Sequence, residues 1–182
     1  VSDLLPYPAD WTVRRARDAY LAENGFTVAA YDDAWTEASF LGIRFSVPNT
    51  QRHRWAIMLH DLHHVATGFG TDLTGEGEIS LWELRRGLSA LGLYVGGIVA
   101  SGALMGVFAS PRRAWAAFSA SGSTPSLFDP NVDYDALLDM TVGELRARLA
   151  VPAEGLAREP RGLHAYAPRR VPGGASVTAA AT

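Results

Sequence analysis

Cysteine is absent from this chain, and so is lysine: all sixteen basic residues are arginine. Without cysteine there are no disulfides, no iron–sulfur clusters and no thiol nucleophile. Without lysine there is no Schiff-base amine. The absence of disulfides fits a cytoplasmic location. Val1-Ser2-Asp3-Leu4-Leu5-Pro6 also lacks the basic and apolar regions of a signal peptide. Charge is scarce, at 19% of residues, and the net charge of −3 argues against a nucleic-acid partner. No stretch reads as a convincing strand, and no internal repeat is visible. Residues 87–110 carry no charge at all.

What is present is a cluster of histidine. Four of the five histidines fall between positions 53 and 64, and the densest part reads His60-Asp61-Leu62-His63-His64. On a helix His60 and His64 are i and i+4, so they share one face one turn apart. Asp61 is one step round from His60. Glu76 follows after a loop containing Gly68, Gly70 and Gly75, which can fold back over that face. Two imidazoles with one or two carboxylates are the usual ligands of a divalent metal. The pattern is not H-E-x-x-H, so a zincin's glutamate base does not transfer. His63 lies on a different face and reads as a packing or surface residue. His53 is two helical turns from His60, too far to share its ligand site. His164 lies in the C-terminal tail. Glu78 points away from Glu76 if both are on one helix. Asp72 is either a second carboxylate near the site or a loop stabiliser. Arg52, Arg54, Arg85 and Arg86 read as a solvated face, with an acidic head group as the alternative partner.

The remaining pattern is helical. The composition and length predict one all-α domain over 1–152, a bundle of about seven helices, followed by a flexible tail over 153–182 rich in Pro, Gly, Ala and Arg. Asp10 can cap a first helix that ends at Gly25. A second is expected from Thr27 to about Phe40, with 42–48 as a connector. The metal-ligand helix should run from Pro48-Asn49-Thr50 to Thr67, broken by Gly68-Phe69-Gly70. The next should run from about Thr74 to Gly87. The uncharged, Gly-rich run Leu88 to Phe108 is long enough to span a bilayer, but is expected to be the central helix of a soluble bundle, since the amphipathic helices need something to pack on. Ser110-Pro111 starts a further helix, 133–139 a short one, and Thr141-Val142-Gly143-Glu144 is a capping box for the last.

The spacing His60-Asp61-x-x-His64, eleven residues, then Glu76 resembles the signature of the coenzyme Q (ubiquinone) biosynthesis family typified by the fourth Coq protein (Coq-four). The flanks agree: His64-x-x-x-Gly68, Thr71, Gly75-Glu76, the pair Trp82-Glu83, and Gly87 before an apolar Gly-rich helix. The resemblance covers about residues 40–150. It implies an all-helical fold and a divalent metal held by His60, Asp61, His64 and Glu76. Zinc is the first expectation, with iron, magnesium or manganese as alternatives. It also implies an apolar groove for an isoprenoid-type substrate, a homodimer, and oxidative decarboxylation at ring carbon C1 of a prenylated hydroxybenzoate, together with a scaffold role in the ubiquinone-synthesis complex. Contact with a membrane surface is a further expectation. Two other readings stand beside this lyase-type enzyme: a paralogue in bacterial natural-product (secondary metabolite) biosynthesis, and a lipid-binding scaffold whose metal is structural. An HD-type phosphohydrolase ranks last, because it needs a separated upstream histidine and a late aspartate.

Overall fold

Caps and breakers set the helices. In the computed structural model, which describes residues 7–40, 43–160 and 162–163 (side chains outside 37–45), seven α-helices carry the chain. Helix α1, Val13–Glu23, is capped by Thr12, whose side chain accepts from the Arg15 N–H. The expected cap, Asp10, lies exposed before it. Helix α2, Gln51–Thr67, is capped by Thr50 and stops at Gly68, which takes the left-handed conformation at φ 80°. Helix α3, Leu73–Arg86, starts on the Asp72 carboxylate, which accepts from the Gly75 N–H, so Asp72 is a cap. Helices α4, Gly92–Ala109, and α5, Pro111–Ala120, meet at Ser110. Short helices α6, Tyr134–Asp139, and α7, Val142–Arg148, follow, the latter opened by the expected capping box of Thr141 and Glu144.

The fold is thus predominantly all-α and a single domain, as expected, with three corrections. The first is at 27–48, where the expected second helix is replaced by a 3-10 turn, Val28–Asp32, and an antiparallel hairpin. Strand β1, Trp35–Phe40, pairs with β2, Ile43–Pro48, from Trp35 opposite Pro48 to Phe40 opposite Ile43. The cause lies just beyond the hairpin. Buried Asn49 donates to the carbonyls of Tyr31 (3.0 Å) and Asp33 (2.8 Å), and its N–H takes the Ala34 carbonyl. A helix through 31–40 needs those carbonyls for its own ladder.

The second correction concerns α4. It is not central. Only Val95, Ala103 and Gly106 along it are buried, while Leu93 is 99% exposed and Phe108 72%. The centre is built instead from Leu59, Leu62 and Val65 of α2, Ile79 and Trp82 of α3, and Leu137, Leu145 and Leu149. Helix α3 touches α2 on one side and α4 and α5 on the other. The α3–α4 contact is close because it is glycine on glycine: a Cβ on Gly106 would stand 2.4 Å from the Cα of Gly77.

The third correction is the tail boundary. Beyond Pro152, Leu156 and Ala157 are buried, the Leu156 N–H donates to the Thr67 carbonyl at 2.8 Å, and the Gly162 carbonyl accepts from the Thr71 N–H at 2.9 Å. The chain to 163 therefore straps the α2–α3 connection. His164 lies outside the described residues. Arg146, 2% exposed, braces the same region by donating to the carbonyls of Ala66 and Tyr7.

Candidate metal centre

Helix α2 delivers two imidazoles and α3 delivers two carboxylates, at the point where the helices face each other. His60 Nε2 and His64 Nε2 stand 3.1 Å apart. Glu76 Oε2 lies 3.4 Å from His60 Nε2, and its Oε1 lies 3.7 Å from His64 Nε2. All three residues offer ligand atoms within 4.8 Å of one another. Ligand atoms of a tetrahedral ion bound at about 2.0–2.1 Å stand about 3.3 Å apart, so the separations match.

The other ring nitrogens fix the tautomers. His64 Nδ1 is 3.1 Å from the Phe69 carbonyl, an atom that only accepts, so Nδ1 carries the hydrogen. His60 Nδ1 is 2.9 Å from Glu83 Oε1, and a carboxylate imposes the same tautomer. Both neutral rings then present bare Nε2 lone pairs to each other. Two lone pairs at this distance repel unless a proton or a cation lies between them. The donor set therefore fits a cation.

Without an ion, the electrostatics place a proton on His60 instead. Burial works to lower the His60 pKa, but the carboxylates of Glu83 and Glu76 outweigh it and hold it well above the usual imidazole value. Burial works to raise Glu76, yet His64 and His60 hold it far below the ordinary carboxylate range. Glu83, likewise opposed by burial, is depressed to about 2 by His60 and His63. Two ionised carboxylates thus face two imidazoles, and Glu76, with a side chain 38% exposed, is the member open to solvent.

Of the four ligands implied by the family pattern, the structure brings together His60, His64 and Glu76. Asp61 stands outside the trio: it is buried, burial raises its pKa, and its Oδ2 accepts from the Tyr31 hydroxyl at 2.5 Å. His63 is a packing residue, as read from the sequence, wedged between Trp82 and Phe128. Its Nδ1 donates to Glu83 Oε1 at 2.7 Å, and its Nε2 accepts from the Leu127 N–H. His53 is buried edge-on to Tyr94, away from the trio. Glu78 faces Arg113, which it binds through both oxygens at 3.0 and 2.7 Å. Arg54 pairs with Asp32, and Arg86 lies over the Trp82 ring.

Glu83 was missed as a functional residue, although the sequence held a signal. It is seven residues after Glu76, two turns along the same side of α3. It is fully buried and gives one oxygen to both His60 and His63. Tyr20, stacked on His64 with ring centroids 5.5 Å apart, and the Phe69 carbonyl complete the support. Gly75 lets the loop close, since a Cβ there would lie 2.1 Å from the Gly70 carbonyl oxygen.

No family model, no curated protein and no solved structure matches this chain.

Proposed function

We propose that the chain is a metal-dependent enzyme acting on an apolar phenolic or quinone-precursor substrate, the chemistry implied by its resemblance to the Coq-four family. The observation that carries this is the convergence of His60 Nε2, His64 Nε2 and a Glu76 carboxylate, with both Nδ1 atoms committed elsewhere. Two imidazoles and one carboxylate suit zinc or non-haem iron, with zinc first because such sites favour imidazole. A bound ion would supply Lewis acidity to a ring oxygen of the substrate.

The chain's own residues do the positioning. Glu83 and the Phe69 carbonyl hold the two rings with Nε2 directed at Glu76. Tyr20 and the buried side of His64 exclude water from below. Glu76 leaves the open side, where a substrate oxygen would enter. The natural-product reading shares this machinery and differs only in substrate.

Elemental analysis of protein purified without chelator tests the reading. About one divalent ion per chain is expected, lost in Glu76→Ala while circular dichroism is unchanged. Metal-free wild-type protein that takes up no zinc, iron or manganese on titration would sink it. Mass spectrometry of extracted ligands then separates an isoprenoid phenol from another metabolite class.

A further inference from the structure

Helix α2 ends and α3 begins with backbone groups that the helices themselves do not pair. Part of what satisfies the connection between them comes from the C-terminal strap. The Thr67 carbonyl accepts from the N–H groups of Leu156 at 2.8 Å and Ala157 at 3.3 Å. The Gly162 carbonyl accepts from the N–H groups of Thr71 at 2.9 Å and Asp72 at 3.3 Å. The strap therefore grips the connection on both sides of Phe69. Gly162 sits there because it has no side chain: a Cβ would stand 2.5 Å from the Asp72 carboxylate.

The gripped connection sets two of the three candidate ligands. Its Phe69 carbonyl takes the Nδ1 hydrogen of His64 at 3.1 Å. Its Asp72 caps α3 through the Gly75 N–H, and the Asp72 carbonyl accepts from the Glu76 N–H at 2.9 Å. His60 is set separately, by Glu83. Two further bonds reach the connection: the Thr71 hydroxyl donates to Asn24, and the Phe69 N–H to the Thr67 hydroxyl at 3.4 Å. Neither of them engages the N–H groups of Thr71 and Asp72, which the Gly162 carbonyl takes.

The strap is lightly fastened elsewhere. Glu159 reaches Arg113 at 3.4 Å, but Arg113 is already held by both oxygens of Glu78, at 3.0 and 2.7 Å. The Glu159 side chain is 57% exposed, so this bridge contributes little. A cavity of about 130 Å³ between strap and α5 is lined by Phe69, Leu156, Ala117 and Ala120 among others, so the strap is not packed down along its whole length. We propose that the strap is a positioning element of the candidate metal centre: by closing the connection around Phe69 it holds His64 and Glu76 for the ion, and its opening loosens that hold. The proposal rests on the metal reading of His60, His64 and Glu76. Coupling is reciprocal, so a bound ion must in turn hold the strap closed.

Zinc titration and amide hydrogen exchange on the full chain test it. Zinc should slow exchange at Leu156, Ala157, Thr71 and Asp72 roughly tenfold beyond any change at the α6 amides, and Glu76→Ala should abolish the slowing. Gly162→Ala and Leu156→Ser should each weaken zinc binding roughly tenfold, while Leu156→Met keeps it and Glu159→Gln changes it less than about twofold. Leu138→Ala, a core cavity in α6, measures general loosening: it should lower stability and leave zinc affinity within about twofold. Wild-type protein that binds no zinc overturns the metal reading and the strap's role with it. Zinc uptake with unchanged exchange at the four amides, with unchanged affinity in Gly162→Ala, or with an equal loss in Leu138→Ala overturns the strap's role alone.

Discussion

Helices α2 and α4 are of nearly equal length and both pack on α3, yet each inverts the usual arrangement in its own way. Helix α2 buries His53, Asp61, His63 and His64 among apolar residues. Helix α4 leaves leucine, valine and phenylalanine in water. Buried polar groups are costly unless paired, and exposed apolar faces are rare unless covered. For Asp61, His63 and His64 the cost is offset by named partners: Tyr31 for Asp61, Glu83 for His63 and the Phe69 carbonyl for His64. For the outer face of α4 no such partner is present among the described residues. The difference is that α2 carries a site completed from within, while α4 presents an apolar face that the described residues leave open.

The strongest way to break the α2 side is to remove its shared carboxylate. Glu83→Ala leaves the Nδ1 hydrogens of His60 and His63 facing no acceptor in a fully buried position, and should cost about 3–5 kcal/mol of stability in chemical denaturation. Acid should reproduce part of that loss. The folded pKa of Glu83 is depressed to about 2 from 4.5, so its contribution is complete above the unfolded value and declines as pH falls through that window. The metal-free protein should therefore lose thermal stability between about pH 4.5 and 2, and Glu83→Gln should flatten that slope. An unchanged slope would mean that the carboxylate is not held by the imidazoles.

On the α4 side, the break is steric. Gly106→Val places a side chain where the Gly77 backbone stands and should cost about 2–3 kcal/mol, read by denaturation. A smaller cost would show that α4 is held loosely, which would free its inner face as well as its outer one.

These contrasts explain what was legible in the sequence. The caps at Thr50, Gly68 and Thr141 announce themselves through local chemistry, and the structure places them as expected. The pairing of His60 with His64 follows from helical spacing alone. Four things did not follow. The hairpin at 35–48 depends on Asn49 capturing carbonyls up to eighteen residues earlier, a tertiary event. An uncharged helix reads as central because apolar residues alone do not reveal how many of them the rest of the fold covers. Asp61 stood next to His60 in sequence, but its direction was decided by Tyr31, thirty residues away. Glu83 required knowing how α2 and α3 face each other.

That last pair can be probed more gently. Tyr31→Phe removes only the hydroxyl that donates to Asp61, and should cost about 1–2 kcal/mol. Metal content should persist, because Asp61 stands outside the three-residue cluster. Loss of metal in this variant would restore Asp61 as a ligand and require the Tyr31 contact to open on binding.

The smallest effect should come from the outer face. Leu93 makes almost no contact within the chain, so Leu93→Gln should change stability by less than about 0.5 kcal/mol in dilute solution. The same substitution in α2, Leu62→Gln, would bury an amide in the core, so the pair measures the inversion directly. A large loss at Leu93 that grows with protein concentration would mean that the face is already covered in solution by another copy. A neutral result leaves the face uncovered in dilute solution.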